Sequence, residues 1–167
     1  IAPPAQAEGR VLAPGGAGTM GTTDISNMTP REAADRRYTR VSEASEAGDS
    51  GQVTFFGPMT LQAYAQVNPL DADARLHIGM VHLAMGNAAG AAAQADSIVR
   101  QSRTHLFGPL LKVRVAEARN NATALRQAYQ TLLANWTAER AKNLPEYTQH
   151  DAMLNELHTA AQGSSSR

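Results

Sequence analysis

The side chains with the widest chemical reach in this 167-residue chain are five histidines: His77, His82, His105, His150 and His158. A helical zinc pair needs two imidazoles three or four residues apart, so that both leave one face of the helix. His77 and His82 are five apart, and His150 and His158 are eight apart. Neither spacing makes a ligand pair, so the expectation is no metal and no cofactor. Asp71 and Asp73 could pose as paired carboxylates. Both stand where a helix should begin, and a carboxylate there is explained by the positive helix end. The chain has no Cys, which excludes disulfides, thiolate metal sites and Cys nucleophiles. No G-x-S-x-G, Walker loop, H-E-x-x-H or Rossmann glycine pattern occurs. Gly15-Gly16-Ala17-Gly18 follows no strand and carries no Lys, and reads as linker. Asn27, Asn121 and Asn135 open glycosylation sequons, two of them on helices or caps, and are expected to be unmodified. No catalytic residue is expected, and the chain is read as a binder rather than an enzyme.

The elements that position these residues follow from composition. Lys+Arg and Asp+Glu are both 15, giving zero formal charge. That balance argues against a general nucleic-acid or anionic-membrane binder, which needs a basic surplus. No run approaches the roughly 18 apolar residues of a membrane span. Ala occurs 31 times, against 12 Val and Ile together; Ala favours helices and β-branched residues favour strands, so the class is all-α.

Thr29-Pro30-Arg31-Glu32 is a strong helix start, with a capping Thr, a Pro at the first helical position and a Glu that completes a capping box. This helix should run to Ala47, where Gly48-Asp49 ends it. A second stretch covers about 50–67, kinked or split by Gly57-Pro58, before Asn68-Pro69. Asp71 or Asp73 opens a third helix, in which Ile78, Val81, His82 and Met85 recur at helical spacing. Further helices are expected over about 88–100, 106–119, 122–141 and 145–161. Residues 163–167 form a frayed end.

The chain is self-similar. A shift of 34 residues lays Ala84-Met85-Gly86-Asn87-Ala88 over Ala118-Arg119-Asn120-Asn121-Ala122, Val81 over Val115, and Ile98-Val99 over Leu132-Leu133. Each unit reads helix–turn–helix at the tetratricopeptide period. Residues 29–162 therefore resemble the tetratricopeptide repeat family. Ile78-Gly79 stands at the family's Leu-Gly, His82 at its Tyr, Gly86 at its turn Gly, and Ala91 at its small second-helix residue. In the next unit Asn120 replaces the turn Gly, Leu125 replaces the small Ala, and Tyr129 matches the family aromatic. The signature Trp is replaced by Arg75. Gly48-Asp49 resembles the turn of a first unit, 38 residues before Gly86, which calls for an insertion of about four residues near Gly57-Pro58.

The resemblance implies a short α-solenoid of three hairpins plus a C-terminal capping helix, a unit that buries its apolar faces only by stacking. It also implies a concave groove lined by the first helix of each unit: Tyr38 and Ser42, then Leu76, Met80 and Leu83, then Leu110, Arg114 and Glu117. Such an apolar strip suits an extended or helical apolar segment of a protein partner, unless the C-terminal helix, the tail or a neighbouring helix fills it.

Residues 1–28 are Gly- and Pro-rich, and form an extended tail or linker that cannot build a core. Its scattered Ile1, Val11, Leu12, Met20 and Ile25 suit docking on another chain. Ile at position 1 carries the expectation of a removed leader or an upstream anchor. These features favour a non-catalytic scaffold, an accessory subunit of a membrane-associated bacterial assembly, with the domain on the periplasmic side or, alternatively, in the cytoplasm. Its partners would be other protein subunits, with no nucleic acid and no span of its own. The rival readings are a free adaptor that binds peptides, and a small-ligand binder or enzyme within a helical stack.

Overall fold

The computed structural model describes residues 27–165. Among them are eight α-helices and no strand: α1 (Pro30–Glu46), α2 (Ser50–Tyr64), α3 (Ala72–Ala84), α4 (Ala88–Gln101), α5 (Phe107–Ala118), α6 (Ala122–Arg140), α7 (Pro145–Gln149) and α8 (Asp151–Ser165). Among the described residues no helix is long and apolar enough to cross a membrane.

Three hairpins, α1/α2, α3/α4 and α5/α6, share one turn chemistry. Gly48, Gly86 and Asn120 adopt φ of 69°, 76° and 52°, the left-handed region that Gly enters freely and Asn tolerates. The next residue sends its N–H back to the carbonyl five positions earlier: Asp49 to Ala44, Asn87 to His82 and Asn121 to Ala116. That residue then caps the following helix, its side chain accepting from the N–H of Gln52, Gly90 and Ala124 respectively. One dipeptide thus ends one helix and begins the next. The expected capping box of Thr29 and Glu32 is present at α1, and Asp71 caps α3.

The extra residues of the first unit do not sit at Gly57-Pro58. Pro58 lies inside a continuous α2, and the added length is spread out. One residue is in α2 (15 residues, against 14 in α4) and one in α3 (13, against 12 in α5). The rest lies in a longer connection over 65–71. At Gly57 a Cβ would lie 2.6 Å from Met85 Sδ, part of a flexible side chain that is itself exposed. The last expected helix is in fact two, broken at His150 (φ −109°, ψ 24°).

α1 packs on α2 and α3, α3 on α2, α4 and α5, α5 on α4 and α6, and α8 on α6. The main core joins Leu76 of α3, Ile98 of α4, Phe107, Leu110 and Leu111 of α5 and Leu132 of α6 to Leu154 and Leu157 of α8. A smaller core holds Ala34, Tyr64, Ala74 and Ile78 between α1, α2 and α3. At the α3–α5 crossing, Gly79 lets the helices meet, since a Cβ there would lie 2.7 Å from Leu111 Cδ1.

Candidate functional site

The structure disperses the apolar strip implied by the family resemblance. Leu76 and Leu110 are fully buried, packed with Leu154 and Leu157 of α8. Met80 and Leu83 are partly buried against the same core. Tyr38, Ser42 and Met80 line a cavity of about 110 Å³ whose far side includes Met153 of α8. Arg114 pairs with Glu117 at 3.2 Å and with Glu156 of α8 at 3.4 Å. The buried part of the strip is therefore covered by the chain's own C-terminal helix, whose Leu154 and Leu157 join that core and whose Met153 packs against it. The tail residues Ile1, Val11, Leu12, Met20 and Ile25 lie outside the described residues.

What the structure does bring together is a polar cluster where α1, α2 and α3 meet the α7–α8 junction. Arg31 of α1 contacts three carboxylates: Asp35 one turn on, Asp71 at 2.8 Å, and Asp73 through its Oδ2. Asp35 accepts the Tyr64 hydroxyl at 2.6 Å and faces His77 Nδ1 at 3.1 Å. Burial works against the Asp35 carboxylate, but the bonds from His77 and Tyr64 and the Arg31 charge outweigh it and hold its pKa at about 2. An ionised carboxylate only accepts, so His77 Nδ1 must carry the proton. The Tyr64 oxygen, 2.7 Å from the same nitrogen, is a second acceptor for it. His77 Nε2 is the ring nitrogen turned toward Asp73 and His150.

That nitrogen lies 3.2 Å from His150 Nε2 and 3.6 Å from Asp73 Oδ1, and His150 Nε2 lies 2.8 Å from the same Oδ1. Burial disfavours the Asp73 carboxylate too, yet the His150 hydrogen bond and the nearby positive charges keep it below its ordinary range. The Tyr38 ring stacks on His77 with centroids 3.9 Å apart and planes 12° apart, and Phe107 meets His150 edge-on. Burial pushes the Tyr38 hydroxyl up to about 12.

The remaining histidines are otherwise engaged. His82 accepts from the Asn87 amide and packs against Gly90. His105 accepts the Phe107 N–H at Nδ1 and meets Glu146 through Nε2. His158 stacks on Trp136. Capping accounts for Asp71 but not for Asp73, which turns inward to Arg31 and His150. Comparing histidines only with one another passed over Asp73 and His77, four apart on α3. His150 sits 73 residues beyond His77, so no local spacing could announce it.

A second feature is an exposed face on α1 and α2. Phe55 and Met59, one turn apart on α2, are 64% and 43% exposed. Beside them Arg36, Arg37, Arg40, Phe56 and Met59 line a cavity of about 580 Å³, with the Arg40 guanidinium 4.7 Å over the Phe56 ring. Comparison with known proteins finds no matching family model, no matching curated protein and no matching solved structure.

Proposed function

We propose that this chain is a non-catalytic protein–protein interaction scaffold built from three tetratricopeptide-like hairpins, with a C-terminal helix that closes the groove side. The repeated turn at Gly48, Gly86 and Asn120 supports the repeat reading. The observation that carries the function is the α1–α2 face. Phe55 and Met59 are large apolar side chains held in solvent at adjacent turns of a rigid helix. Isolated exposed apolar residues are ordinary, but a pair beside a basic cavity is the composition of a docking patch. Among the described residues, Arg37 and Arg40 line the cavity together with Glu43, Phe56 and Met59, so the partner that fits is a protein segment combining acidic with apolar residues. Docking moves accordingly from the concave strip to the face of the first hairpin.

The test is partner retention in the native cell. A tagged chain carrying Phe55→Glu and Met59→Glu should keep its helical circular dichroism and lose a stoichiometric partner that the unmodified chain holds. Retention of that partner would contradict the docking face. So would binding of the unmodified chain to anionic lipid vesicles with the same dependence on Phe55, which would make the ligand a membrane surface. A partner that dissociates readily in salt supports the adaptor form of this reading over a permanent subunit.

A further inference from the structure

We propose that Asp73, His77 and His150 form a binding site for a divalent ion of the zinc type, which fastens the C-terminal helices to the first two hairpins. This inference is independent of the docking face. Asp73 Oδ1 and the two Nε2 atoms are separated by 2.8, 3.2 and 3.6 Å. Zinc ligands at about 2.0–2.1 Å in tetrahedral array lie about 3.3 Å from one another, the middle of that range. A point equidistant from the three atoms is about 1.9 Å from each in their own plane, so an ion at zinc–ligand distance sits just out of the plane and keeps a fourth position for water. Two imidazoles and one carboxylate suit zinc, and also cobalt, nickel or ferrous iron, rather than calcium or magnesium.

Three further observations point the same way. First, His77 Nδ1 is pinned by Asp35, which is pinned in turn by Tyr64 and Arg31. A carboxylate behind a histidine fixes the tautomer that presents Nε2 to a metal. Second, Asp73 divides its oxygens: Oδ2 goes to Arg31, and Oδ1 stays turned to the histidines. Third, Arg31 alone meets Asp35, Asp71 and Asp73, so the cluster gathers more carboxylate than guanidinium charge, a setting that favours a cation. Without an ion, a single proton on His150 Nε2 bridges the three atoms, and that is the rival state.

The donors come from α3 and from His150, which breaks the chain between α7 and α8, and α1 holds the supporting Asp35. An ion there would join elements 73 residues apart. The full 167-residue chain, stripped with chelator, is titrated with zinc sulfate by calorimetry and with cobalt(II) by visible absorption. One zinc per chain is expected, with a cobalt band of nitrogen and oxygen coordination and a raised thermal midpoint. His150→Gln should abolish saturable binding while the ion-free form keeps its helical circular dichroism. Asp35→Asn, which leaves all three ligands, should weaken binding about 10–100-fold. No saturable binding, or binding unchanged in His150→Gln, overturns the proposal in favour of the proton-bridged cluster. If His150→Gln does not fold, histidine nitrogen NMR of the unmodified chain decides. Zinc must then move the Nε2 signals of His77 and His150, and movement confined to His82, His105 or His158 overturns the site.

Discussion

At the scale of residues, the polar positions that matter are those whose partners lie far along the chain. Glu139 on α6 is 1% exposed, and its carboxylate receives the Tyr147 hydroxyl at 2.7 Å and the Lys142 ammonium. Burial would raise its pKa, but the bonds from Lys142, Thr104 and Tyr147 win, and the group stays below its ordinary 4.5. Because the folded value is the lower one, this stabilisation is present above pH 4.5 and is lost as pH falls through the depressed value. Glu139→Gln should lower stability at neutral pH by about 1–3 kcal/mol and flatten the fall of the thermal midpoint in acid. Equal acid slopes for the two proteins would contradict this. Leu76 and Leu110 make a second case. As core residues, each should lose about 2–5 kcal/mol on substitution by Ala in denaturant unfolding; a loss under about 0.5 kcal/mol would return them to an open surface. Neither the Glu139 nor the His77 partnership was legible in the sequence. Capping explained Asp71 from its neighbours alone, whereas Asp73 looks identical at that range and differs only through Arg31 and His150.

Elements were far more legible, because their signals are local. Thr29-Pro30-Arg31-Glu32, Gly48-Asp49, Gly86-Asn87 and Asn120-Asn121 carry their own hydrogen-bonding logic, and the helices begin and end within a few residues of where these signals set them. Three features escaped, the first being residues 163–165, expected to fray but part of α8, which runs to Ser165. Pro58 reads as a breaker, yet α2 runs through it, held by packing that leaves Gly57 against Met85. His150 carries no breaking chemistry of its own, and it stands at the α7–α8 break with its Nε2 2.8 Å from Asp73 Oδ1. The turns give a direct comparison. Gly86→Ala meets no atom within 4 Å but must hold φ of 76°, and should cost about 1 kcal/mol. Asn120→Gly at the corresponding turn should be neutral or mildly stabilising. A stabilising Gly86→Ala, or an Asn120→Gly that destabilises, in denaturant unfolding would contradict the shared turn. At the α3–α5 crossing, Gly79→Ala should cost about 1–3 kcal/mol, since Leu111 is buried and has little room to yield.

For the whole molecule, the C-terminal helix α8 occupies the surface that the family resemblance leaves to a ligand, so the hairpins and α8 should unfold as one unit. Truncation after residue 144 should expose Leu76 and Leu110, broaden the thermal transition and bind a hydrophobic dye; a sharp, dye-free transition would show that the hairpins stand alone. The sequence pattern foresaw both occupants of the strip, a partner or the chain itself, and could not choose, because Met153, Leu154 and Leu157 suit either a cap or a covering helix. The same arrangement leaves Phe55 and Met59 exposed, the face proposed here for a partner. The most direct measurement places a photo-crosslinking residue at Phe55 in one chain and at Leu83 in another, each in the native cell. The account predicts a single protein adduct at position 55, through an acidic and apolar segment, and none at position 83. An adduct at 83 with none at 55 would contradict it and restore the concave strip as the binding surface.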